Sequence, residues 1–170
     1  MIFGDPSKFA VCFDIVDDWS TPTFKNGLLN IYVNFLLLGN RKNTSHDLGT
    51  NLAQMRNCVK RHEQSKALSA TVLSKSNSDI YAYLYEYTFP KHSDERDGSL
   101  EYLAAPYSVC DEEDDLFLIT DGKNERLFCG SKKNFTTAVS LPLGFYAGVV
   151  ELASNSLTNF TEVKQGTPQK

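Results

Sequence analysis

The sequence predicts an α+β domain built on a mainly antiparallel β-sheet, with one long helix and a second, C-terminal helix. Three observations carry this. Apolar residues alternate with period two in several separate segments. One stretch between them switches to helical spacing, and the order of segments, strands, helix, strands, helix, is that of an α+β architecture.

The first alternating segment is Phe9, Val11, Phe13 and Ile15, interleaved with Ala10, Cys12 and Asp14. Pro22 and the Asn26-Gly27 turn pair separate it from a second run, in which Leu29, Ile31, Val33, Phe35 and Leu37 share one face. The Asn-Gly pair suits an antiparallel connection. Leu48, Leu52, Met55 and Val59 then recur at helical spacing. They predict a helix from about Ser45 to Ser65, capped by Thr44 or Ser45, with Gln54, Arg56, Lys60 and Arg61 toward water.

After a polar stretch, Tyr81, Tyr83, Tyr85, Tyr87 and Phe89 occupy every second position. This alternation predicts a strand with an aromatic face, ended by Pro90 and followed by a polar loop from Lys91 to Ser99. The segment 100–107 reads equally as a short strand or a helical turn. Leu116 to Thr120 and Glu125 to Cys129 flank the turn signal Asp121-Gly122-Lys123-Asn124 and form an antiparallel pair. A further strand falls at Thr136 to Ser140. Beyond Pro142, the spacing of Phe145, Val149 and Leu152 permits a second helix to about Ser154, with a strand as the alternative.

The chain has 170 residues and a mass of 19.0 kDa, which fits one domain over residues 1–164 and a frayed tail at 165–170. A chain of this length buries roughly 70% of its unfolded surface and needs no metal or disulfide to hold it. The cysteines at 12, 58, 110 and 129 are widely spaced, without a C-x-x-C pair, so neither a zinc knuckle nor a redox dithiol is indicated. The opening residues lack a secretory signal, and the apolar stretch around Ile31 to Leu38 is far shorter than a membrane span. These features point to a cytoplasmic location, in which the three N-x-S/T sites are incidental.

No constellation for chemistry stands out. His46, His62 and His92 have no zincin spacing, and there is no P-loop, nucleophile elbow or dinucleotide fingerprint. No cofactor or metal is therefore expected. Charge is the more informative signal. A net charge of −4 argues against a general nucleic-acid binder. Yet Ser93 to Asp115 holds nine carboxylates and one cation, a local charge of −8, while Arg41 to Lys75 carries +5. The run Asp111, Glu112, Glu113, Asp114 and Asp115 does not follow an EF-hand loop. It reads either as a solvated or internally paired segment or as a docking surface for a basic partner. Tyr83, Tyr85 and Tyr87 read either as half-buried sheet packing or as aromatic anchors for that partner.

Several short motifs carry a family resemblance. They are Met1-Ile2-Phe3-Gly4-Asp5-Pro6-Ser7-Lys8-Phe9-Ala10, Trp19 after an acidic residue, Phe24-Lys25-Asn26-Gly27, and Gln54-Met55-Arg56. Together they cover mainly the first third of the chain, which resembles the immunity protein 42 family of bacterial polymorphic toxin systems. The resemblance implies a small cytoplasmic α+β protein that binds a cognate toxin and blocks it. It transfers no catalytic residue. The acidic run is compatible with a basic, nucleic-acid-cleaving toxin as the partner. Two other classes compete: a small hydrolase or transferase, which a pocket holding a titratable group of shifted pKa would favour, and a non-catalytic adaptor.

Overall fold

The computed structural model describes residues 1–21, 23–39, 46–64, 68–90 and 100–165. In chain order the elements are β1 (Ile2–Asp5), β2 (Phe9–Ile15), a 3-10 turn (Asp17–Trp19), β3 (Asn26–Val33), β4 (Leu36–Leu38) and β5 (His46–Asp47). They continue with α1 (Leu48–Gln64), α2 (Ala70–Leu73), α3 (Asn77–Thr88), α4 (Tyr107–Cys110), β6 (Asp114–Thr120), β7 (Asn124–Ser131), β8 (Asn134–Pro142) and α5 (Phe145–Gln165).

All strand pairing is antiparallel, in two sheets. The first has the order β1-β2-β3-β4, with β5 also on β3; the second is β6-β7-β8. The alternation in β2 and β3 brings like faces together: Phe13 lies opposite Leu29, Val11 opposite Ile31 and Phe9 opposite Val33, all fully buried. Helices α1 and α5 cover this face through Leu48, Leu52, Met55, Tyr146, Val150 and Ala153. Tyr146 stacks on Phe9 at 4.8 Å and donates its hydroxyl to the Ala104 carbonyl at 2.7 Å. In the second sheet, β6 and the middle of β7 are buried on both sides. Leu116, Leu118, Leu127 and Cys129 join the main core, while Phe117, Ile119 and Phe128 form a second core beneath α3.

Four sequence expectations change. The run through Leu37 breaks at Asn34 and Phe35, whose φ values of 50° and 63° form a left-handed turn into β4. Phe35 therefore sits at a hairpin tip, 73% exposed, rather than on the core face. The long helix is capped by Asp47, which accepts the Gly49 N–H at 3.1 Å; Thr44 and Ser45 lie outside the described residues. Arg61 does not point to water, because its guanidinium binds the carbonyls of Leu100 and Leu103 at 3.0 and 3.2 Å.

The fourth change bears directly on function. Residues 81–87 are helix, not strand. Ser76 caps α3 by accepting the Asp79 N–H at 3.2 Å and donating its hydroxyl to the Asp79 carboxylate at 2.6 Å. Ile80, Leu84 and Thr88 then repeat every fourth residue and are buried together with Tyr81. The tyrosine alternation is real, but the apolar residues between the tyrosines set the buried stripe.

Candidate functional site

The acidic run divides at the boundary between α4 and β6. Asp111, Glu112 and Glu113 form the turn leaving α4, where the Glu113 N–H bonds the Cys110 carbonyl at 2.8 Å. Asp111 and Glu113 are exposed and Glu112 is half-buried. Asp114 and Asp115 begin β6, opposite Ser131 and Gly130 of β7, and point inward with 0% and 5% exposure. Asp114 Oδ2 accepts the Gly39 N–H at 3.1 Å, tying the first sheet to the second. Asp115 Oδ2 accepts the Tyr81 hydroxyl at 3.0 Å. The five acids therefore differ in setting: Asp111, Glu112 and Glu113 lie on the turn, Asp114 is buried, and Asp115 is nearly buried but lines the cleft described below.

The helix also redistributes the tyrosines. Tyr83 and Tyr87, one turn apart, stack at 6.1 Å and are 36% and 40% exposed. Tyr87 continues onto Tyr102 at 5.5 Å. Tyr85 lies on the opposite flank of α3, one turn from Phe89 and 5.1 Å from it. Two aromatic stripes therefore flank the buried face of α3, and only the Tyr85 stripe meets the acidic turn.

That meeting forms a cleft of about 420 Å³ lined by Tyr85, Phe89, Cys110, Asp111, Glu113, Asp115, Lys132 and Lys133. The lysines form the turn between β7 and β8, with φ values of 51° and 68°. Lys132 pairs with Glu113 at 3.6 Å, and the Lys133 ammonium lies 5.8 Å from the Tyr85 ring centre. Composition gave no hint of these lysines, Phe89 or Cys110 as cleft residues. Their shared position depends on how α3 crosses the β7–β8 hairpin.

Burial raises the Asp115 carboxyl to about 6, against the lowering effect of the Tyr81 hydroxyl bond, and Asp114 adds to the rise. Burial likewise lifts the Tyr81 and Tyr85 hydroxyls above the ordinary phenol range. A pocket with a shifted carboxyl is the feature the enzyme reading called for. Burial, followed by the repulsion of Asp115, Asp111 and Asp114, pushes the Cys110 thiol to about 12, so it is protonated at neutral pH. No histidine is among the described lining residues. Among the described residues there is also no group of three potential metal ligands, and no helix is long and apolar enough to cross a membrane.

The fold is α+β, and its cleft brings three carboxylates, two lysines and an aromatic wall together. The chain belongs to the immunity protein 42 family, Imm42, whose model matches residues 1–156. The crystal structure of CdiI from Burkholderia dolosa AUO158 is similar to it at 27% identity, with a TM-score of 0.74 over 94% of this chain and 99% of that one. No curated protein matches the chain. The family and the structural likeness agree on a toxin immunity protein, which binds and neutralises a cognate bacterial toxin.

Proposed function

We infer that the chain neutralises its toxin by stoichiometric occlusion, without chemistry of its own, in the cytoplasm of the cell it protects. The observation carrying this reading is the acidic turn of Asp111, Glu112 and Glu113, whose exposed Asp111 and Glu113 line the Tyr85 cleft. Exposed carboxylates beside a rigid aromatic wall favour a partner with a basic face, by raising both encounter rate and selectivity. A nuclease, whose substrate site is positive to hold phosphates, is the partner class that best fits. Tyr83 and Tyr87, on the other flank of α3, extend the contact as aromatic anchors. A stable complex needs about 800 Å² buried on each partner, so the interface extends well beyond the cleft.

The experiment is a titration of the cognate toxin's activity with purified protein. Occlusion predicts that activity falls linearly to a residual level at one equivalent and recovers when the complex is dissociated. Toxin that stays inactive after complete removal of the protein would mean chemical modification and would sink the reading.

A further inference from the structure

Asp115 has an unusual position for a carboxylate. It is 5% exposed, yet it lines the open cleft, and among the described residues its only hydrogen bond is the one from Tyr81 to Oδ2. No salt bridge joins it to either cleft lysine; Lys132 is held by Glu113, and Lys133 lies over Tyr85. Among the described residues the cleft holds three carboxylates and two ammonium groups, an excess of one negative charge. A buried carboxylate with a single neutral donor is unfavourable relative to the same site with an amide, which would accept the Tyr81 hydroxyl equally well. The charge makes physical sense when a cation completes the site.

We propose that this cleft receives one lysine or arginine side chain projecting from the toxin, with Asp115 as its counter-ion and Tyr85 and Phe89 as its aromatic wall. The proposal rests on the docking reading above and names the chemistry of its central contact. An aromatic face and a carboxylate together suit a long cation: the aliphatic stem packs on the rings while the head reaches the floor. The volume of about 420 Å³ admits such a side chain with accompanying water. The left-handed Lys132-Lys133 turn holds the far wall in place through the Lys132 N–H bond to the Glu113 carbonyl at 2.8 Å.

The test begins without the toxin. Isotope-labelled protein is titrated with ethylguanidinium chloride, and separately with neutral ethylurea, at constant chloride. Saturable amide shifts confined to Tyr85, Cys110, Asp115 and Lys133 are expected for the cation alone. They should vanish in Asp115→Asn and persist in Tyr81→Phe, which keeps the carboxylate. Absence of saturation, equal shifts with ethylurea, or unchanged shifts in Asp115→Asn would overturn the proposal.

In the second arm, Asp115→Asn should weaken toxin binding by at least about tenfold while folding as well as the parent. A variant that lost cation binding but held the toxin at parental affinity would overturn the assignment to a toxin side chain. Neutralising Asp111, Glu112 and Glu113 is measured separately, so failure of the wider docking reading is distinguishable from failure of the cleft.

Discussion

Tyr81 and Asp115, 34 positions apart in the chain, are joined by a 3.0 Å hydrogen bond that fastens α3 to the start of strand β6. The contact exists because Gly130, the β7 partner of Asp115, has no side chain: a Cβ there would overlap the Tyr81 hydroxyl oxygen. The tyrosine ring fills that space, packed edge-on against Phe117 at 5.6 Å. Fold and cleft are thus coupled at one point.

Gly130→Ala should be severely destabilising for its size. The added methyl meets both the Tyr81 ring and the Asn134 carbonyl, so α3 or the β7–β8 hairpin must shift. A loss of about 2–3 kcal/mol is expected, of the order found when closely packed sites are overfilled. Urea denaturation checks it; a midpoint within error of the parent would contradict the close approach.

Asp115 should make stability depend on pH in the opposite sense to a salt-bridged carboxylate. Its folded pKa of about 6 lies above the ordinary value near 3.9, so the folded state binds the proton more tightly than the unfolded chain. Its contribution is fully favourable below about pH 4, declines as pH rises to about 6, and is flat above; the fall is of order 3 kcal/mol. Subtracting an Asp115→Asn pH series from the parental one isolates it. A difference that does not change across this window would contradict the burial.

Glu125 should be the critical cap of α5. Its carboxylate, 8% exposed, accepts the N–H groups of Gly144 at 2.8 Å and Tyr146 at 2.9 Å, and its charge faces the positive end of the helix. Glu125→Gln replaces one acceptor with a donor and should destabilise by about 1–3 kcal/mol. Hydrogen exchange at Tyr146 should accelerate along with it. Unaltered exchange there would place the capping elsewhere.

Phe35→Gly should stabilise the isolated protein. Phe35 adopts φ 63° and is 73% exposed, so it bears left-handed strain with little burial in return. Glycine removes that strain and should add about 0.5–1 kcal/mol to the unfolding free energy. A clear loss on denaturation would show that the ring packs more tightly than its exposure indicates.

The parts of the fold that local pattern determines were readable in the sequence. β2, the β6–β7 hairpin, α1 and the start of α5 follow from apolar spacing and turn residues. The tyrosine segment misled because four phenol rings at alternate positions mimic a strand, although Ser76 to Asp79 and the Ile80–Leu84 spacing held the helical signal. Asp114 and Asp115 were read as part of a charged run because their neighbours before β6 are acidic. What turns them inward is distant: Gly39 for Asp114, 75 positions away, and Tyr81 for Asp115. A cleft assembled from α3, the α4–β6 turn and the β7–β8 turn has no contiguous signature to read.

The most direct measurement is the affinity of the toxin for the Asp111→Asn/Glu112→Gln/Glu113→Gln variant beside the parent, by calorimetry at low and at high salt. Docking through the acidic turn predicts weaker binding by the variant at low salt, a smaller gap at high salt, and a melting temperature only slightly changed, since the Glu113–Lys132 pair at the surface adds little to stability. Equal affinity of variant and parent at both salt concentrations would contradict it.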